Sequence, residues 1–596
     1  MNERLKGRLH TAWTEPRHFF FWLALLSLFA SALVLANRGH AAPGVPLAVV
    51  LTAGALGFVV GLAAFILAWI PPARRLLAWL LGRRFLVLAC LATLIALFYA
   101  VENWRGRHAW QSFKQEQEAR GERFDLAGVI PPPVPADQNF FETPLWDDMH
   151  FVQTNGVTTW NGEGYGNRVV FSIYGPRDNG VPAGGTRYWQ KGQRVDLAAW
   201  QAFYRGTNNV FAAESGPPTN YFPIASAPQS PAADVLLALS KFSGNREILI
   251  TSSTRPYARF WVNYEAGPGA LVPHLARMKS AAGYLSLHAN AALKAGEHDT
   301  VIEDLKALFR LIEASRREPF TISHLVRIAE LHIAIPPIWE GLVDRRWSDA
   351  DLSVLETELG KLDFLADYQL ALRGERACCE LWAVDFIRKV GLEGYAELGG
   401  REESSSPGEI SDSSEVGKSL GMALFRLVPA GWFDQNKLSL CRMQENYLLP
   451  IADTEQRVIS PAAAARAEKA IAQLHPRPYD AFSWGLVPSL SGLAVKFAHA
   501  QATAHLSRLA CALERYRLAN GQFPETLEAL APKFIAKVPH DVINGQPLKY
   551  RRTDDRQFVL YSVGWNETDD GGKVELTKSG NPDEQKGDWV WRCPAG

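Results

Sequence analysis

Groups able to do chemistry are few in this chain, and their spacing matters more than their number. His324, Glu330 and His332 share one apolar-periodic stretch with the composition of a metal site. Eight residues at about 100° each leave the two imidazoles roughly 80° apart around a helix, and Glu330, two positions from His332, faces elsewhere. The H-E-x-x-H zinc helix needs histidines at i, i+4. The plainer expectation is histidines in a core or at a helix boundary, and His499 and His505, six apart, read the same way. Ser491 stands in Ser489-Leu490-Ser491-Gly492, lacking the leading glycine and preceding strand of a nucleophile elbow. Arg373, Glu375, Arg376 and Glu380 form the densest polar cluster, and Arg376 with Glu380 at i, i+4 suits a salt bridge along one helix face. Glu402-Glu403 sits in a Ser-rich stretch unsuited to holding a raised carboxyl pKa. Walker, G-x-G-x-x-G and zinc-ligand spacings do not occur, so no catalytic or cofactor-binding residue is assigned.

The elements that would position these groups begin with apolar runs at 19–36, 47–70 and 85–101, free of charged residues and long enough to cross about 30 Å of hydrocarbon. A cleaved signal peptide competes for the first run, but its length and the two runs that follow favour a retained anchor. Arg4, Lys6, Arg8 and Arg17 precede the first run, Arg38 alone follows it, and Arg74, Arg75, Arg83 and Arg84 separate the second from the third. That alternation predicts a multi-pass protein of the cytoplasmic (inner) membrane with a cytoplasmic amino terminus and everything after Val101 outside, although Arg105 and Arg107 run against it. Cys378, Cys379, Cys441, Cys511 and Cys593 would then face an oxidising compartment, an odd number with no C-x-x-C. Lys plus Arg and Asp plus Glu both total 62 in 596 residues, which gives no polyanion-binding signature and argues against a nucleic-acid partner.

Beyond the membrane region, residues 102–139 read as a charged helix followed by a stiff spacer at Pro131, Pro132, Pro133 and Pro135. Residues 140–268 read as irregular and α-rich, with helical islands at Leu197–Tyr204 and Ala232–Phe242 and apolar runs at Val169–Ile173 and Ile248–Thr251. A helical body follows at 269–475, with an exposed loop at 401–415 and helices at Ile322–Ile335, Asp349–Leu359 and Tyr368–Arg388. Small residues and Gly296 between Leu287 and Leu308 are similar to one tetratricopeptide-type helical hairpin, and the succession of helices suggests a solenoid-like layer. Residues 476–596 close the chain with a long helix whose apolar face is Leu506, Leu509, Ala510, Leu513, Tyr516 and Leu518, then strands at Pro547–Tyr550 and Phe558–Ser562. The expected fold is mainly α: three transmembrane helices, a solenoid-like extracytoplasmic body, and a small α+β module with a β-hairpin.

Ala512-Leu513-Glu514-Arg515-Tyr516, Asn520-Gly521-Gln522-Phe523-Pro524, Asp541 with Gly545, Pro547 and Tyr550, and Leu560-Tyr561-Ser562-Val563-Gly564 occur in this order within about seventy residues. This order resembles the soluble domain of the major pseudopilin of type II secretion systems. The likeness implies Ca²⁺ on a loop after the hairpin, here Asn566, Asp569 and Asp570 with Asp588 nearby, against a simply solvated turn. Lacking a pilin-type amino terminus, the chain does not read as a pilus subunit. As a whole it resembles membrane-anchored bacterial proteins of planctomycete and verrucomicrobial type. The expectation is a non-enzymatic scaffold in the bilayer with a protein partner, linked to secretion or envelope assembly; the alternative is an extracytoplasmic hydrolase whose site assembles in the helical body.

Overall fold

The computed structural model describes residues 21–22, 24–25, 58–66, 70, 83–149, 151–154, 157–160, 170–174, 182, 188–211, 219–399, 425, 427–475, 477–486, 491–554 and 557–592. It is mainly helical, with a small carboxy-terminal sheet, and its chain divides by contact into two units. One unit joins residues 1–122, 381–439 and 476–485; the other joins 123–380, 440–475 and 486–596. Segments distant in sequence therefore share a unit, unlike the contiguous segmentation expected.

In the first unit, helix α1 (Arg83–Ala119) is unbroken for 37 residues. Among the described residues one helix, Val87–Ala119, is long and apolar enough to cross a membrane. Three spans were expected, and the runs at 19–36 and 47–70 lie largely outside the described residues, as does the loop at 401–415. Val87, Leu88, Leu91, Leu94 and Ile95 are all exposed, as lipid-facing side chains would be. Past the apolar run, α1 meets the stretch Leu427–Lys437 so closely that a Cβ on Gly431 would stand 2.2 Å from the Glu102 carbonyl oxygen. Asn103 accepts a hydrogen bond from the Gly431 amide at 2.8 Å, and Glu102 accepts one from Trp432 Nε1 at 2.9 Å.

The second unit opens with short pieces: strands β1 (Phe151–Thr154) and β2 (Val157–Trp160), helix α2 (Leu197–Arg205), strands β3 (Val210–Phe211) and β4 (Thr219–Asn220), and helices α3 (Pro231–Leu239) and α4 (Ser243–Ser252). Asp196 and Ser230 cap α2 and α3, the two expected helical islands, by accepting from backbone amides. Residues 170–174 form turns, and the apolar run Ile248–Thr251 lies inside α4.

Helices α5 (Pro273–Ala295) and α6 (His298–Ala314) form the expected hairpin, with Gly296 left-handed at φ 87° between them. Helix α7 (Thr321–Val343) runs on through Pro336 and Pro337, where Ile322–Ile335 was expected to stop. Neither proline has an N–H, so the carbonyls of His332 and Ile333 lose their usual helical donors. Helices α8 (Asp349–Gly360) and α9 (Phe364–Glu375) follow.

Helix α9 continues into a π-helical turn at Arg376–Glu380, and a second π-turn lies at Gln444–Leu448. The two turns face each other: Arg376 pairs with Glu445 at 2.5 Å, and Gln444 donates to both oxygens of Glu380 at 2.9 Å. Arg376 and Glu380, expected to bridge at i, i+4, each take a partner from the facing turn, while the Arg376 charge still acts on Glu380.

At the centre is α13 (Ser491–Asn520), preceded in this unit by α12 (Pro461–Gln473) and, in the other, by α10 (Leu381–Gly399) and most of α11 (Ala430–Met443). Helix α13 packs on α7, α8 and α9 and also on the carboxy-terminal strands. Ala494, Ala498, Ala500, Ala502, Ala504 and Ala512 are buried. Side chains this small let neighbours approach from every direction, and a helix covered all round is a core helix. One apolar face was expected; Leu518, assigned to it, is 45% exposed. A solenoid unit touches only its sequence neighbours, whereas α13 joins elements more than a hundred residues apart, so the body is not a solenoid.

Strands β7 (Lys549–Asp554) and β8 (Gln557–Ser562) make the expected hairpin, and β11 (Trp589–Arg592) adds an unexpected third strand, giving the order β11-β8-β7. A separate pair, β9 (Val574–Leu576) and β10 (Pro582–Gly587), precedes β11, and one further pair, β5 (Ala452–Asp453) with β6 (Val458–Ile459), lies earlier. Trp339 Nε1 of α7 donates to the Arg592 carbonyl at 2.6 Å, and Trp591 packs on Trp189 with ring centres 5.0 Å apart. Buried Asp541 pins the loop before the hairpin, accepting from the Ile543 amide at 3.0 Å, Ser562 Oγ at 2.8 Å and the Val563 amide at 3.0 Å. Asp541→Ala is expected to cost about 2–4 kcal/mol in thermal melts of the full chain in detergent, with Asp541→Asn costing less because its oxygen still accepts.

Candidate functional site

The groups singled out by type resolve into buried networks. His324 is sealed on α7, its Nε2 2.9 Å from the Glu318 carbonyl oxygen; burial and the neighbouring Arg327 guanidinium hold its pKa down to about 3. Glu330 is fully buried with no hydrogen-bond partner on either carboxylate oxygen, and burial pushes it up to about 8. His505, also buried, lies 2.9 Å through Nε2 from Gln501 Nε2 and is held to about 3 by burial first and Arg508 next. Ser491 is the first residue of α13.

His332 meets His499 instead of Glu330. Their rings, from α7 and α13, lie 5.0 Å apart; His499 Nε2 is 3.2 Å from Gln190 Nε2, and its Nδ1 is 4.0 Å from Glu584 Oε1 on β10. Trp589 closes the cluster edge-on at 5.0 Å. Sequence spacing within one helix had no access to this cross-helix pair. His332, His499 and Gln190 are 3%, 2% and 4% exposed, so no substrate reaches them. Among the described residues no group of three His, Cys, Asp or Glu is disposed to hold a metal ion.

A second network was missed entirely. Glu318 Oε1 is 2.7 Å from His274 Nε2, and Glu318 Oε2 accepts from Ser323 Oγ at 2.5 Å. Serine, acid and histidine have the composition of a hydrolase triad, but here the carboxylate stands between the other two. The hydroxyl donates to the acid, so no imidazole activates it, and all three side chains are buried. Its sequence signal is the concentration of Glu318, Ser323 and His324 around the start of α7. Cys378, Cys379 and Cys511 are free thiols raised by burial, Cys378 to about 12, which suits inert packing rather than nucleophilic chemistry.

On the loop expected to hold calcium, Asp588 is buried and accepts from the amides of Asp570, Gly572 and Lys573 at 3.2, 2.6 and 3.3 Å. Asp569 accepts from Tyr561 Oη at 2.9 Å and pairs with Lys549 at 3.2 Å, while Asp570 accepts from Asn566 Nδ2 at 2.9 Å. Asn566, Asp569 and Asp570 share the loop after β8, Asp588 reaches it from between β10 and β11, and the carboxylates of all three aspartates accept from the loop's own donors or its neighbours.

Solvent does reach a cleft of about 520 Å³, a volume typical of ligand sites, between the Pro131–Val134 segment, residues 256–259, the end of α6 and α9. Arg259, Arg310, Arg316 and Arg317 line it, with Glu313 and Asp367. Both carboxylates are already held: Glu313 by Arg316 at 3.3 Å and by buried Arg327 at 3.1 Å, and Asp367 by Arg327. Among the described residues Arg310 donates to the carbonyls of Arg255 and Tyr257, at 2.9 and 2.8 Å, and its Nε is buried without a hydrogen-bond partner. Neither Glu330, His324 nor Arg376 lines the cleft.

No family model matches the chain, and no curated protein or solved structure matches it.

Proposed function

We propose that the chain is a membrane-anchored binding protein, a scaffold whose helical body lies outside the cytoplasmic membrane and engages a partner there, in secretion or envelope assembly. The observation that carries this reading is the separation of chemistry from solvent. Among the described residues the histidine, acid and hydroxyl networks are sealed in the core, while the open cleft presents guanidinium groups, which bind and orient, beside two carboxylates already held by arginines. A hydrolase would need an unengaged base and a nucleophile in that cleft, where Glu313 and Asp367 are both held by arginines. The multi-pass topology with an external body rests on the charge alternation around the apolar runs, and the balanced net charge argues against nucleic acid.

Two experiments test the reading. A phosphatase reporter fused after Gly596 is expected to be active, and a cytoplasm-only fluorescent reporter there to be dark; the reverse pattern contradicts the topology. Purified full-length protein is expected to show no turnover of ester, peptide or glycoside substrates and to co-purify stoichiometrically with an envelope component. Turnover abolished by a point substitution would overturn it.

The pseudopilin likeness, extended to its ion, would have Ca²⁺ draw Asp569 from Tyr561 and Lys549 and Asp570 from Asn566. A Ca²⁺-dependent rise in melting temperature that is lost in Asp570→Asn supports this; identical melts in Ca²⁺ and EDTA remove it.

A further inference from the structure

We propose that the arginine-lined cleft binds a phosphate group, carried by a small molecule or by a phospholipid headgroup. The inference rests on the binding reading above and specifies its ligand.

Charge balance is the first reason. Arg316 and Arg327 share the two carboxylates, which leaves Arg259, Arg310 and Arg317 without a carboxylate partner among the described residues. Arg317 is exposed and free to swing, whereas Arg259 is fixed by its Nε bond to the Pro131 carbonyl at 2.9 Å. Arg310 is the anomaly. Its guanidinium lies over the Phe140 ring at 5.4 Å and donates to carbonyls, and burial lowers its pKa although the Glu313 charge opposes that. A cation whose hydrogen bonds go to neutral acceptors, with a counter-charge in Glu313 that Arg316 and Arg327 already share, is costly unless an anion completes it.

Number and origin of the donors select the anion. The three unpaired guanidinium groups come from two separate segments, Arg259 from the 256–259 stretch and Arg310 and Arg317 from the end of α6 and just beyond it. One carboxylate matches a single fork, while a phosphate offers three oxygen edges and up to two charges to several forks at once. Pro131, Pro132 and Tyr257 supply an apolar wall, which fits a phosphate on an organic carrier better than the bare ion.

Calorimetry on the full-length protein in detergent tests this with glycerol 3-phosphate, inorganic phosphate and citrate at matched ionic strength, and with phosphatidylglycerol against phosphatidylcholine in mixed micelles. Saturable binding of glycerol 3-phosphate at one per chain is expected, weakened about 10-fold or more in Arg310→Gln and in Arg317→Gln. Binding of phosphatidylglycerol but not glycerol 3-phosphate, with the same loss in the variants, supports the proposal with a lipid as the source. Exposed Arg317 tolerates substitution, so that variant decides the matter if Arg310→Gln does not fold. Absence of binding by any phosphate probe, or binding unchanged in both variants, overturns the proposal. Citrate bound more tightly than phosphate overturns the ligand class and leaves the binding reading standing; hydrolysis of a phosphoester in the cleft overturns the binding reading itself.

Discussion

Arg327→Met is expected to destabilise the protein by about 3–5 kcal/mol, the range for removing one partner of a buried ion pair. Arg327 is fully buried, donates to the Ile312 carbonyl at 2.6 Å, and pairs with Asp367 and Glu313. Methionine fills much of the volume but leaves Asp367 buried with only Arg316, 3.9 Å away, for compensation. Asp367 already sits up at about 6, burial outweighing the arginines, and losing Arg327 drives it higher. A carboxyl raised in the folded state contributes stability that is present below its unfolded pKa and lost as pH rises through the folded one. The cost of Arg327→Met should therefore be smaller at pH 5 than at pH 8, and Asp367→Asn added to it should recover part of the loss at pH 8. Thermal melts of the three proteins at both pH values check this; a cost independent of pH would mean that packing, not charge, dominates.

Glu330→Gln carries the opposite sign. Glu330 titrates near 8 in the folded chain against an ordinary glutamate value of 4.5, so its stability contribution is intact below 4.5 and gone above 8. Glutamine keeps the shape and cannot ionise. From pH 5 to pH 8 the variant should gain on the parent by about 3–4 kcal/mol, an effect readable as a flatter melting-temperature profile. Glu380, near 8, and Glu340, near 7, tilt the parent the same way. His324 and His505, held near 3, act on the acid side, where stability falls as pH drops below 6.5. Parallel profiles for parent and variant would show that Glu330 reaches solvent or a partner when it ionises.

Local signals reported local structure faithfully. The helical islands at Leu197–Tyr204 and Ala232–Phe242 matched α2 and α3, Gly296 marked the turn between α5 and α6, and alternation marked β8. Failures came where the deciding partner is distant in sequence. Pro336-Pro337 looked like a helix end because the burial that keeps α7 helical comes from α5 and α13. Trp589–Arg592 is four residues long, and its pairing with Val559–Ser562 supplies the order that so short a run lacks alone. Alanines at Ala498, Ala500, Ala502 and Ala504 show no amphipathic period, which is the signature of a helix covered on all sides.

For the candidate site, residue types were legible and partners were not. His332 and His499 were both noted, each against the wrong neighbour, because spacing along one helix says nothing about a ring on another. The cleft left no motif. Arg259, Arg310 and Arg317 are unremarkable individually, and their lack of carboxylate partners is visible only once Glu313 and Asp367 are seen to be taken by Arg316 and Arg327.

Hydrogen–deuterium exchange of the full-length protein, with and without glycerol 3-phosphate, puts the central claim to its most direct test. Ligand-dependent protection is expected in residues 255–259 and 310–317, with α7 and α13 around His332 and His499 unchanged. Protection centred on α7 and α13 with none at the cleft would contradict the account, because it would place the working chemistry in the networks read here as core.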